Sequence, residues 1–295
     1  MIITALMLLQ VYSRETEAVM DRSRRQAQER RANSAELSPP PMQPKPTAPP
    51  PGEAAPALPP AIAQKLRTCL NTAAADPAAG VRFATDWAVN KGSFYALQCR
   101  GFAHARTEDW DQSVAAFDAA AGEAEKAGSS ADAARLWGQA GNAALAGGKA
   151  EAAIGYFDAA LGHGAMSDIA KGEVYLDRAR AGVMLGRDPA ARDDLNKAVA
   201  LVSQDPLAWL LSATLARRMN DLPRASADIA QAAALAGDDP SVMLEQGNIA
   251  MLSGNEVQAR SLWQNIIAHA PDGAAAKAAN AALAQLSEPK PAAAK

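Results

Sequence analysis

Three histidines, two cysteines and a few adjacent acids are the side chains of this 295-residue chain best suited to moving protons, attacking a substrate or holding a metal. His104, His163 and His269 stand far apart, and no two have the i, i+4 spacing that places both imidazoles on one helix face. The simplest helical metal site is therefore not written into the chain. Asp193-Asp194 and Asp238-Asp239 fall at expected helix starts or joints, where a carboxylate offsets the positive end of the helix dipole, so capping accounts for them without catalysis. The glycine-rich stretches at 147–148 and 162–164 follow no strand pattern and carry no Lys-Ser or Lys-Thr, which makes them poor phosphate cradles. No catalytic triad, cofactor cradle or metal cluster assembles from these residues. A non-enzyme without a cofactor is expected, and a net charge of −3 gives no whole-chain electrostatic case for binding nucleic acid.

The elements that would position any functional residue follow from composition. Hydrophobic residues make up 49% of the chain and aromatic residues only 5%, with alanine filling the difference. Alanine is the best helix former and a poor strand former, so the fold class is all-α, with small side chains letting helices approach closely. Residues 1–12 are almost wholly apolar and residues 14–31 are rich in Arg and Glu, together giving an apolar N-terminal segment and charged helix over 1–38. The stretch 39–60 holds 11 of the 19 prolines and reads as an extended, solvated linker. A helical body is expected over 61–287 and a disordered tail over 288–295. Residues 1–12 fit an export or anchor segment, with membrane association, or the apolar end of an amphipathic helix running to about residue 31.

The body repeats. Registers at Arg67, Gly101, Gly141, Ala179, Ala213 and Gly247 are separated by 34, 40, 38, 34 and 34 residues. Four residues before each register the column reads Ala63, Leu97, Trp137, Tyr175, Trp209 and Met243. A turn column follows at Ala74, Glu108, Gly148, Gly186, Asn220 and Gly254, then a small column at Ala79, Ser113, Ala153, Ala191, Ala225 and Ala259. The large column after it is Phe83, Phe117, Phe157, Leu195, Ile229 and Trp263. The extra residues of the two longer steps are expected in loops at 125–130 and 162–167, between hairpins. In these columns the chain resembles the tetratricopeptide repeat family across about 60–273. The front unit departs from the pattern, with Arg67 and Asp86 in small columns.

The resemblance implies a right-handed superhelical solenoid of about six antiparallel helix hairpins, closed by a capping helix over 274–287. It also implies that first helices line a concave groove that binds a protein or peptide. Translated column by column, that groove would be lined by Gln64, Gln98, Leu176, Leu210 and Leu244 in one row and Thr68, Phe102, Asn142, Arg180, Thr214 and Asn248 in the next, flanked by Arg135, Glu173 and Arg217. Amides would bond a peptide backbone while leucines bury its apolar side chains. The C-terminal-carboxylate clamp of some family members is not expected, because Gly138 and Leu244 stand where its lysines belong. His104 falls in a column of small and aliphatic residues and should be wedged between helices. The family's packing places the helices of Cys69 and Cys99 side by side, which is compatible with a disulfide or with two separate buried thiols; a bridge would point to an oxidising envelope compartment. The implied function is a non-catalytic interaction scaffold of the cell envelope or periplasm, with a cytoplasmic location as the alternative. The competing function is an accessory subunit of an enzyme or of a secretion or assembly complex, with self-association through the solenoid ends.

Overall fold

The computed structural model describes residues 58–90, 92–164 and 166–287. The apolar segment 1–12, the charged stretch to 38, most of the proline-rich stretch and the 288–295 tail lie outside the described residues. The described chain falls into one compact unit ending at Val202 and a second beginning at Ser203. Among the described residues there are thirteen α-helices and no strand.

The first unit holds four antiparallel hairpins: α1 (Pro60–Ala75) with α2 (Pro77–Val89), α3 (Phe94–Arg106) with α4 (Trp110–Lys126), α5 (Ser130–Ala146) with α6 (Ala150–Gly162), and α7 (Asp168–Met184) with α8 (Asp188–Leu201). The second unit holds two, α9 (Pro206–Arg218) with α10 (Leu222–Ala236) and α11 (Pro240–Leu252) with α12 (Glu256–His269), followed by α13 (Ala274–Ser287). Within each unit, first helices of successive hairpins are neighbours: α1 with α3, α5 with α7, and α9 with α11.

Local chemistry explains the punctuation. Glu108, Gly148, Gly186, Asn220 and Gly254, the turn column, all have φ between 57° and 84°. In each case the next residue donates its N–H to a carbonyl five residues back, as Lys149 does to Ala144 (2.8 Å) and Asn255 to Ala250 (2.8 Å). That bond satisfies a carbonyl the helix end would otherwise orphan, and it requires the left-handed residue before it. Asp109, Ser167, Asp205, Asp221, Asp239 and Asn255 then cap the following helices with side-chain oxygens.

The small column works against the large one. A Cβ on Gly101 would lie 2.9 Å from the Phe117 ring, on Gly141 2.5 Å from Phe157, and on Gly247 2.4 Å from Trp263. Where the facing residue is Leu195 or Ile229, the small position is Ala179 or Ala213. In these five hairpins glycine thus accompanies an aromatic ring and alanine an aliphatic side chain, so a larger facing side chain is met by a smaller one. The Trp263 indole N–H is buried and meets no acceptor among the described residues. Trp263→Phe removes that unsatisfied donor, and Phe117 and Phe157 already occupy this column in other hairpins. The lost ring area and the relieved donor offset each other, so thermal unfolding should place the variant within about 1 kcal/mol of the parent.

The first hairpin and the insertions differ from expectation. Ala74 is helical, because α1 runs to Ala75 and a single residue, Asp76, ends α1 and caps α2. This turn lacks the left-handed residue, so the helices pair in a different register. Gly80 faces Ala73, with an added Cβ falling 2.4 Å from the Ala73 Cβ, and Ala84 and Trp87 are buried while Arg67 and Asp86 are exposed. Relative to the other hairpins α1 is shifted by three residues and α2 by one, which brings Leu70 and Trp87 into the small columns and Ala84 into the large one, so the front unit still departs from the pattern at other residues. Nor do the longer steps sit wholly in loops. Helices α5 and α7 have 17 residues against 13 in α3, α9 and α11, so an extra N-terminal turn absorbs most of the insertion.

Helix α13 closes the second unit against α11 and α12. In the columns of Met243, Gly247 and Ala250 it carries Lys277, Ala281 and Ala284, all exposed, and Asn280 and Gln285 beside them are exposed as well. A lysine thus replaces the large apolar residue that would receive another helix, which suits a terminal repeat. No described helix is long and apolar enough to cross a membrane.

Candidate interaction face of the first helices

Residues four apart on a helix share a face. On α3 that sets Gln98, Phe102 and Arg106 together, on α5 Arg135 with Gln139 and Asn142 just beyond, and on α7 Glu173, Asp177 and Arg180. Many of the polar side chains bond one another across hairpins. Arg135 donates to Gln98 Oε1 (3.3 Å) and to Asp132 Oδ1 (2.7 Å), and the Tyr95 hydroxyl donates to the other Asp132 oxygen (2.8 Å). Burial, reinforced by Asp132, pushes the Tyr95 phenol up to about 12. Arg180 pairs with the buried Asp177 at 3.2 Å. In the second unit Arg217 grips the buried Glu245 with two N–H groups (2.6 and 3.2 Å), and Asn248 donates to the same carboxylate at 3.4 Å. The Thr214 hydroxyl donates to the Leu210 carbonyl in its own helix (2.9 Å).

The leucine row is placed differently from its expected role as a lining. Leu176 is 1% exposed and Leu210 and Leu244 are 8% exposed, so packing within each unit already consumes their apolar surface. Gln98 is buried with them. Glu173 is exposed and Phe102 half-buried against the cluster that contains Phe94 and Phe117. Asn142 is exposed. The corrected register puts Asn71, also exposed, in place of Thr68 as the α1 equivalent of Phe102 and Asn142. Counting back a fixed 34 residues concealed it. The Asp76-Pro77 pair, a capping residue before a helix-starting proline, was the signal that could have located it.

A disulfide joins Cys69 on α1 to Cys99 on α3, with the Cα atoms 6.2 Å apart and both residues fully buried. Elsewhere, Arg178 on α7 binds Asp194 on α8 through two N–H groups (2.8 and 2.6 Å) and reaches Asp158 on α6. The Asp194 bonds raise the guanidinium's pKa above its ordinary value. Asp194 is therefore a buried strut in mid-helix and not a cap, whereas Asp239 caps α11 as expected. His104 approaches Asp109 at 3.4 Å, His163 pairs with Glu125 at 2.7 Å, and His269 bonds the Asn265 carbonyl at a helix end. Among the described residues no three His, Cys, Asp or Glu side chains converge on one metal position.

No protein-family model matches the sequence, and no curated protein sequence matches it. Solved structures do match in fold. Pseudomonas aeruginosa pilF aligns with 76% of this chain and 97% of its own at 13% identity and a TM-score of 0.62. PilW, a widely conserved type IV pilus biogenesis factor, aligns with 75% of this chain and 98% of its own at 15% identity and a TM-score of 0.62. YrrB, a TPR protein with an unusual peptide-binding site, aligns with 64% of this chain and 91% of its own at 19% identity and a TM-score of 0.50.

Proposed function

Starting from a tetratricopeptide-repeat fold, we propose that this protein is a non-catalytic scaffold of the cell envelope that holds a peptide or protein segment on the first-helix face of its N-terminal unit. The observation that carries the reading is the succession Asn71, Phe102, Asn142 on α1, α3 and α5. Two exposed carboxamides flank a half-buried aromatic ring in equivalent positions of consecutive hairpins. A carboxamide both donates and accepts, which matches the alternating N–H and C=O of an extended backbone, and a ring between two such groups offers an apolar seat for one side chain. Of the remaining polar groups of the face, Gln98 and Arg135 tie α3 to α5, two of the helices that carry these three. The likeness to YrrB in fold supports a peptide ligand, and the buried disulfide, together with the likeness to PilW, supports the envelope.

The test uses the full chain with a photo-crosslinking residue at Asn142 to identify the bound segment, then measures that segment's affinity. Asn71→Ala with Asn142→Ala should weaken binding at least tenfold, or about 1.4 kcal/mol, with unchanged thermal unfolding because both side chains are exposed. Equal affinity in parent and variant would remove this face from the function.

A further inference from the structure

The disulfide joins the two helices that carry Asn71 and Phe102. Asn71 is two residues beyond Cys69 and Phe102 three beyond Cys99, so the covalent link between α1 and α3 sets where these two side chains stand relative to each other. The hairpin it holds is also thinly packed. The buried cluster it shares with α3 has five residues, Cys69, Ala84 and Trp87 from hairpin one with Ala96 and Cys99 from α3, and Trp87 is the one large side chain among them, with Leu66, Leu70 and Phe83 only partly buried against it. The cluster of the next hairpin has nine, including Phe94, Phe117 and Leu136. Hairpin one also lacks the turn bond of the other hairpins, and Ala84 stands where they place a large side chain on the small column.

We propose that oxidation of Cys69 and Cys99 is the step that completes the interaction face. In the reduced chain hairpins two to four fold while α1 and α2 stay undocked, and Asn71 is absent from the face. The bridge forms by thiol–disulfide exchange with a disulfide oxidant. One cysteine thiolate attacks the oxidant's disulfide and expels one oxidant thiolate, leaving a mixed disulfide, and the second cysteine thiolate then attacks the protein sulfur of that mixed disulfide, forming the Cys69–Cys99 bond and expelling the oxidant's second thiolate. Two protein thiols are oxidised and one oxidant disulfide is reduced to two thiols. Placement follows function here: a chain that has not reached an oxidising compartment would carry an incomplete face. The consequence for binding rests on the proposed role of the face, whereas docking of hairpin one is measured without any partner.

Hydrogen exchange of the full chain, oxidised and after reduction by dithiothreitol, reads the docking directly. The expected result is exchange faster by roughly a hundredfold in 60–89 on reduction, with 130–201 unchanged. Iodoacetamide should then label both cysteines in native buffer. Cys69→Ala with Cys99→Ala, which keeps small apolar side chains at both sites, should exchange like the reduced chain. Unchanged protection of α1 and α2 in the reduced chain and the double variant would overturn the proposal. So would acceleration spread evenly over α3–α8, since the bridge would then hold the whole unit and gate no hairpin. If hairpin one undocks on reduction while a crosslinked partner still binds equally well, the face assignment fails and the oxidation step stands.

Discussion

Arg217→Met lowers the stability of the unit beginning at Ser203 by about 3–5 kcal/mol, because it strands the Glu245 carboxylate in a nearly dry site. The Glu245 side chain is 3% exposed, and its principal partner is the guanidinium of Arg217, which approaches it with Nε and Nη2. Asn248 supplies a single longer bond and no charge. Removing the cation leaves the carboxylate's desolvation uncompensated, whereas removing both partners together removes the problem. The repeat itself suggests the replacements: Met251 occupies the Arg217 column in the next hairpin, and Leu211 the Glu245 column in the preceding one. Arg217→Met combined with Glu245→Leu should therefore recover most of the loss, to within about 1 kcal/mol of the parent. Urea denaturation of the parent, both single variants and the double variant gives the coupling energy directly. A single-variant cost below about 1 kcal/mol would show that water reaches Glu245 and relieves it. The same argument changes how a binding defect at Arg217 is read, since a residue expected to touch a partner is first a member of the frame.

What the sequence made legible was recurrence, and what it concealed was register and depth. Five of the six turn positions were read directly, because a left-handed residue at a helix end restricts residue type to Gly, Asn or an occasional strained alternative such as Glu108. The sixth failed because periodicity reports which residue types recur, not how long a turn is; Asp76 shortens the first turn and shifts α1 by three residues against the others. Asp194 looked like a cap because it follows another aspartate near a helix start, and the arginine that buries it, Arg178, lies 16 residues away on another helix. The leucine row looked like a lining because the resemblance assigns a column to a face without saying how far the helices close over it. At Leu176 they close almost completely. The first of these reasons puts Asn71 and not Thr68 on the face, and the last takes Leu210 and Leu244 off it, so the candidate site shifts toward α1, α3 and α5.

The small and large columns offer a sharper test of how each hairpin is specified. Gly141→Ala drives a methyl group to 2.5 Å from the Phe157 ring, which is itself fully buried and has nowhere to turn. The variant should lose about 2–3 kcal/mol, even though alanine in a helix interior is intrinsically favoured over glycine by about 1 kcal/mol. Phe157→Leu alone leaves unfilled space and should cost about 1–2 kcal/mol. If the two positions acted separately, the pair would cost about 3–5 kcal/mol less the measurement error usual for distant sites. The chain already contains the combined solution elsewhere, as Ala179 with Leu195 in hairpin four and Ala213 with Ile229 in hairpin five, each pair almost wholly buried. Gly141→Ala with Phe157→Leu should accordingly cost only about 1 kcal/mol, since the added methyl occupies the space the smaller side chain vacates and the helix recovers its backbone preference. Denaturation of the four proteins in the cycle measures the difference. Additive losses would mean that the columns are constrained by the neighbouring hairpins and not by each other, and that the glycine–aromatic and alanine–aliphatic pairings arose without a shared packing constraint. A strongly coupled cycle makes each of hairpins two to six a local solution to one spacing, which is why a chain this poor in aromatic residues can still close five of them this way.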